Sequence, residues 1–224
     1  CIAALAPWSV LHHLEGGPVP MWIPAIGTVM SIAMVFPIAV ASTNFHSTAF
    51  LDIGKVWSSL PLRFVIFGTL SYTVSSYIGV VFSLPAVAKI TQFTIINEFH
   101  FNQRVYGFFS MIIFGAVYFA LPRITGREIP KAAKSFHFWT STFGVLLLLL
   151  AYLLGGLTHG VLAGQPTLPW SSSVIQSVQP YFLITKIAFV ILAFSQFVFV
   201  INVWRVIFPN PFSCCFSNKK EASA

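Results

Sequence analysis

Five stretches of this chain cross the thickness of a membrane without one charged side chain. Trp22–Ala41, Phe64–Ala88, Val105–Pro122, Phe138–Leu154 and Ile187–Trp204 contain no Asp, Glu, Lys or Arg. An apolar helix needs about 20 residues to cross a hydrocarbon core. In lipid the backbone must satisfy its own hydrogen bonds, which leaves helices or closed barrels. The expected fold is all-α, a polytopic transmembrane helix bundle with five full spans. Cys1–Leu11 is too short to span and reads as the end of a preceding helix, broken by His12-His13-Leu14-Glu15-Gly16-Gly17-Pro18. On this reading residues 1–212 form the bundle and 213–224 a cytoplasmic tail.

Composition closes off a water-soluble alternative. The chain is 57% hydrophobic and 8% charged, against roughly 25% charged residues in soluble domains. It cannot clothe a water-facing surface, and its partner is the lipid membrane. The net charge of +7 then sets topology and gives no reason to expect nucleic acid. The chain opens on a cysteine inside an apolar run, without the basic start of a signal peptide, and reads as the C-terminal part of something longer. Cys1, Cys214 and Cys215 are too few and too badly placed for a disulfide framework; the last two are candidates for lipidation.

Basic residues follow the positive-inside rule. Arg123, Arg127, Lys131 and Lys134 follow the third span, and Arg205, Lys219 and Lys220 follow the fifth. The segment Gly155–Ser177 carries no charge. The 123–137 loop and the C-terminus are therefore expected in the cytoplasm and 155–177 outside. Lys55 and Arg63 then also lie inside, while His12, His13 and His100 fall near the outer face.

An imidazole at membrane depth usually faces a cavity, a partner or a bound group. Neutral imidazole ligates copper and iron and serves as an axial ligand of haem. Two adjacent histidines on a regular helix diverge by roughly 100°, so His12 and His13 share a target only where the backbone is irregular, which Gly16-Gly17-Pro18 allows. Two readings stay open on the residues alone. His12 and His13 are metal ligands or a solvated interfacial pair; His100 is a ligand or a core histidine bonded to a carbonyl. His46 is expected to be solvated in a loop, His137 to sit at the interface beside Phe138 and Trp139, and His159 among glycines on the outer side. Pro37 is expected to bend the first span. No phosphate loop, nucleophile elbow or zinc motif is present. A transporter reading is weak, since no charge inside the five stretches marks an ion path.

An ordered series of motifs runs through nearly the whole chain. It begins with His12-His13-Leu14, Pro20-Met21-Trp22, Gly27-Thr-Val-Met-Ser31, Pro37 and Asn44. It continues with Ser75-Ser-Tyr-Ile-Gly79, His100, Phe114-Gly-Ala-Val-Tyr-Phe-Ala-Leu-Pro-Arg123 and His137-Phe-Trp139. It ends with Gly155-Gly-Leu-Thr-His-Gly160, Gln179-Pro-Tyr181 and Asn202-Val-Trp-Arg205. This series resembles the catalytic subunit I of C-family (cbb-type) haem-copper cytochrome c oxidases, over the last five of that family's helices and the end of the one before.

The resemblance implies a terminal oxidase subunit of aerobic respiratory electron transport, reducing oxygen to water at a high-spin haem and a copper. It implies b-type haem and copper as cofactors. Its partners would be other oxidase subunits, including a cytochrome c-type electron donor, in the inner membrane of a bacterium. His12 and His13 match two copper ligands, and His100 matches the proximal ligand of the high-spin haem. The third copper histidine of the family would lie upstream of Cys1. Where the family has the second member of a His-x-His pair, ligating a low-spin haem, this chain has Asn102, a poor iron ligand. A second register, aligned on Thr91–Thr94, puts that pair on Asn97 and Phe99. Ile78 stands where the family carries a glutamate; Glu98 does not fill that place. These departures keep open a non-catalytic paralogue acting as a membrane scaffold. A nitric oxide reductase relative is the other alternative, and the missing glutamate argues against it.

Overall fold

The computed structural model describes residues 2–165 and 172–208. Cys1, Cys214, Cys215, Lys219, Lys220 and the expected tail 213–224 lie outside them. The elements in order are α1 (Ile2–Ser9), a 3₁₀ turn (Val10–Leu14), α2 (Trp22–Ala33), α3 (Val35–Phe50), α4 (Ile53–Ser58) and α5 (Leu60–Phe82). They continue with α6 (Pro85–Thr91), α7 (Ile96–Asn102), a π-helical stretch (Gln103–Ser110), α8 (Met111–Thr125), α9 (Lys131–Ala163) and α10 (Ser172–Ile207). Every described element is helical.

Five helical segments are long and apolar enough to cross a membrane: Trp22–Phe50, Leu60–Phe82, Ile96–Thr125, Lys131–Ala163 and Ser172–Ile207. The chain is an integral membrane helical bundle, as its charge-free stretches lead one to expect. Four of the spans outrun the stretch that marks them, because helical backbone is favoured in lipid whatever the side chain; the second starts earlier, at Leu60, and ends at Phe82, short of the expected Ala88. Glu98, Arg104 and Lys186 therefore fall within spans, which corrects the expectation that spans carry no charge.

Local chemistry explains the breaks. Pro37 lacks an N–H, and its ring clashes with the carbonyl four residues earlier. That residue is Ala33, where α2 ends. The regular helix is interrupted at Met34, between Ala33 and the start of α3 at Val35.

Gly155–Gly160 is not loop but helix, inside α9. Its glycines face neighbours too close for a side chain. A Cβ on Gly156 would lie 2.5 Å from the Ile96 nitrogen, and one on Gly160 would collide with the Ile90 carbonyl oxygen. Small residues of this kind let membrane helices approach closely, and here α9 seats α6 and the start of α7.

Two clusters form the core. Ile96, Phe99, Val145, Leu148, Tyr152 and Leu192 join α7, α9 and α10. Phe64, Met111, Phe114, Tyr118, Phe138 and Val206 join α5, α8, α9 and α10.

Candidate metal and haem site

The 3₁₀ turn after α1 carries the two adjacent histidines. Tightening to three residues per turn does not by itself converge adjacent side chains, so the approach of the two rings is a matter of their side-chain orientation. The His12 and His13 rings lie 4.1 Å apart between centroids, at 37°. Ser31 Oγ, from α2, lies 3.2 Å from His12 Nδ1, and the Ser9 carbonyl is bonded to the same nitrogen. Gly27 gives the turn room, since a Cβ there would collide with the His12 backbone nitrogen. Gln92 Nε2 donates to the His13 carbonyl at 2.6 Å. The histidine turn is thus held by the chain between α6 and α7.

His100 arrives from the other side. It is buried on α7, and its Nδ1 has no hydrogen-bond partner. Its ring rests on α5 at Gly79, where a Cβ would lie 2.5 Å from His100 Cε1. The carbonyl-bonded core histidine is therefore not what is found at Nδ1.

One cavity of about 280 Å³ is lined by His12, His13, His100, Ser31, Gly79 and Arg104, among others. The three histidines that the sequence singles out share it. Among the described residues no group of three or more His, Cys, Asp or Glu is arranged to hold a metal ion by itself, so the histidines line a common space without forming a closed ligand cluster. Burial lowers the His12 pKa, opposed by the Ser9 carbonyl and aided by Arg104. Burial, the neighbouring His12 and Arg104 push His13 down to about 4. Both rings are neutral at pH 7, the form that ligates metals. The donor chemistry fits copper and iron: neutral imidazoles, one orphaned buried nitrogen and, among the described residues, no carboxylate on the cavity wall.

The departures from the family pattern have their own surroundings. Asn102 is buried and its Nδ2 donates to the Glu98 carbonyl at 2.7 Å and to Glu98 Oε2 at 3.2 Å. Its amide is committed to its own helix. Ile78 packs against the α7–α9–α10 core.

Other histidines differ from expectation. His46 is inside α3 and its Nε2 lies 2.9 Å from Thr73 Oγ1 of α5; a helix continuing past Ala41 carries it out of the loop. His137 is not interfacial but fully buried. Its ring packs among Phe64, Phe114 and Phe199, and its Nδ1 is 2.9 Å from the Tyr118 hydroxyl. Asn202 Nδ2 donates to that hydroxyl at 3.0 Å. His159 lies in α9, and its Nδ1 has no partner.

Sequence reasoning missed the positioning residues Gly27 and Gly79 and the Tyr118–His137–Asn202 chain. A legible signal existed for the second glycine. Gly68, Ser71, Ser75 and Gly79 recur every three or four residues along one buried face of α5, the spacing of a close helix contact.

Comparison with known proteins follows the same line. The family described as Cytochrome C and Quinol oxidase polypeptide I matches residues 1–191. The chain is 25% identical to the Cbb3-type cytochrome c oxidase subunit CcoN1 of Stutzerimonas stutzeri, over 89% of this chain and 44% of that protein. It is 24% identical to cytochrome c oxidase subunit 1 of Rhodobacter capsulatus, over 91% of this chain and 40% of that one. It is 27% identical to cytochrome c oxidase polypeptide 1 of Halobacterium salinarum, over 68% of this chain and 25% of that one. The chain spans less than half the length of these curated relatives.

Proposed function

This chain belongs to the cytochrome c and quinol oxidase polypeptide I family, and we propose that it supplies part of the oxygen-reducing centre of a haem-copper respiratory oxidase. In this reading His100 is the proximal ligand of a high-spin b-type haem, and His12 and His13 are two of the copper ligands. The observation that carries it is the single cavity lined by all three imidazoles. When bound, haem iron and copper supply the electrons and the coordination positions for reducing oxygen to water.

The chain's own residues would bind and orient. Ser31 and the Ser9 carbonyl fix the His12 ring, and Gln92 holds the turn that presents His13. Gly79 makes room for His100. The partners are other oxidase subunits and a cytochrome c-type donor, in a bacterial inner membrane with the C-terminus in the cytoplasm.

A second reading is favoured by two residues. Asn102 spends its amide on Glu98, and Ile78 has no proton to relay. A scaffold paralogue holding one haem or none accommodates both.

Optical difference spectra and metal analysis of the purified full-length protein separate the two. A CO-reactive haem with about one copper per protein is the expected result, since CO reports an open iron position beside the copper. Haem and copper both absent would sink the catalytic reading and leave the scaffold.

A further inference from the structure

At the opposite end of the bundle from the histidines' turn, three spans begin or end around a second cavity. Its volume is about 530 Å³, and its wall includes Ser59, Leu62, Phe119, Arg123, Lys131 and Lys134. Three cations line it, against Glu128 as the one acid. Lys134 is only 8% exposed. Its ammonium lies 3.6 Å from Glu128 Oε2, and the Glu128 side chain is itself 79% exposed. A buried ammonium is costly without close compensation, and an exposed carboxylate at that distance supplies little. Lys134 thus lines the cavity together with Arg123 and Lys131, with Glu128 as its one partly compensating acid.

The start of α5 adds donors on the same wall. Ser59 caps the helix without a side-chain hydrogen bond, and Pro61 occupies its first turn. The first N–H groups of a helix have no partner within it, and they carry the positive end of the helix dipole. In α5 the first-turn residues Leu60 and Leu62 line the cavity.

We propose that this cavity binds a phosphate-bearing anion, carried as the headgroup of an anionic phospholipid. The lipid source follows from position. Arg123 and Lys131 stand at the adjoining ends of the spans Ile96–Thr125 and Lys131–Ala163, where basic residues meet lipid headgroups. Phe119 and Leu62 line the cavity and also face outward, offering an acyl chain a path that a free anion would not use. Basic pockets between membrane helices on the basic side take such headgroups. The proposal does not depend on haem or copper.

Native mass spectrometry of the full-length, delipidated protein, titrated with phosphatidylglycerol, phosphatidylcholine or inorganic phosphate, tests it. Phosphatidylglycerol should bind more tightly than phosphatidylcholine. Lys134→Gln and Lys131→Gln should each weaken it about fivefold, and Glu128→Gln should strengthen it, with phosphatidylcholine unaffected throughout. If Lys134→Gln fails to fold, Lys131→Gln and Glu128→Gln carry the test, with opposite signs that a merely structural role would not produce. Equal binding of the two lipids to the unaltered protein, or lysine variants that bind phosphatidylglycerol undiminished, would overturn the site. Displacement of phosphatidylglycerol by inorganic phosphate at equal concentration would overturn the lipid as source and assign the cavity to a free anion.

Discussion

Gly79 governs the aim of His100 as much as α7 does. The 2.5 Å approach of its missing Cβ to His100 Cε1 means that any side chain must push the ring away from α5. Gly79→Ala should therefore lower the haem content of the full-length protein, with about 10–100-fold weaker retention, the usual cost of disturbing a ligand's support. A pyridine haemochrome assay reads this, and unchanged haem content would show that the ring's seat is irrelevant to binding. At this scale the sequence was informative where residue chemistry is rare. Three histidines in an apolar chain stand out, and the structure gathers them around one cavity. It was mute at Gly27, where the role belongs to an absent side chain and a glycine in membrane helix has many uses, whereas Gly79 was legible only through the small-residue spacing along α5. The burial of His137 was equally hidden, since it depends on Tyr118 of α8 and Asn202 of α10.

Between elements, that buried chain ties three spans together. Asn202 donates to the Tyr118 oxygen, and the Tyr118 hydroxyl shares the next hydrogen bond with His137 Nδ1. Tyr118→Phe removes the middle member and strands an amide and an imidazole in the core. The expected cost is about 1–3 kcal/mol, the penalty for a buried polar group left without its partner, read as a lower thermal midpoint in detergent with haem content unchanged. A midpoint equal to that of the unaltered protein would show the chain to be dispensable. The sequence disclosed the helices but not their ends. Gly155–Gly160 resembles a loop by composition and is helix by contact, because α6 and α7 fill the space beside it. The interruption of the first span four residues before Pro37 was legible, since Pro37 acts within its own helix and requires no neighbour.

For the whole molecule, the charge-free stretches and the placement of basic residues specify a bundle that α9 crosses once. Glu128 and Gln165 then lie beyond opposite ends of α9 and should label from opposite sides. With the native cysteines replaced by serine, a cysteine at Glu128→Cys should react with a membrane-impermeant maleimide only from the cytoplasmic side. Gln165→Cys should react only from the outer one. Both reacting from one side would break the single crossing. The all-α class was readable at this scale because lipid leaves only helices and closed barrels, and the charge-free stretches have the length of a spanning helix, about twice that of a spanning strand. The pairing of spans was not, because lipid-facing and helix-facing side chains are equally apolar.

The π-helical stretch Gln103–Ser110 lies between His100 and the rest of its span. Ser110 Oγ donates to the Val105 carbonyl five residues back, the reach of the wider turn. Such a turn works as a counting device: the residues it holds set the angular phase between α7 and α8. Side-chain exchanges inside it leave that phase alone, whereas loss of one residue would rewind the segment and swing His100 away from His12 and His13. This part of the chain should tolerate substitution far better than it tolerates a change of length.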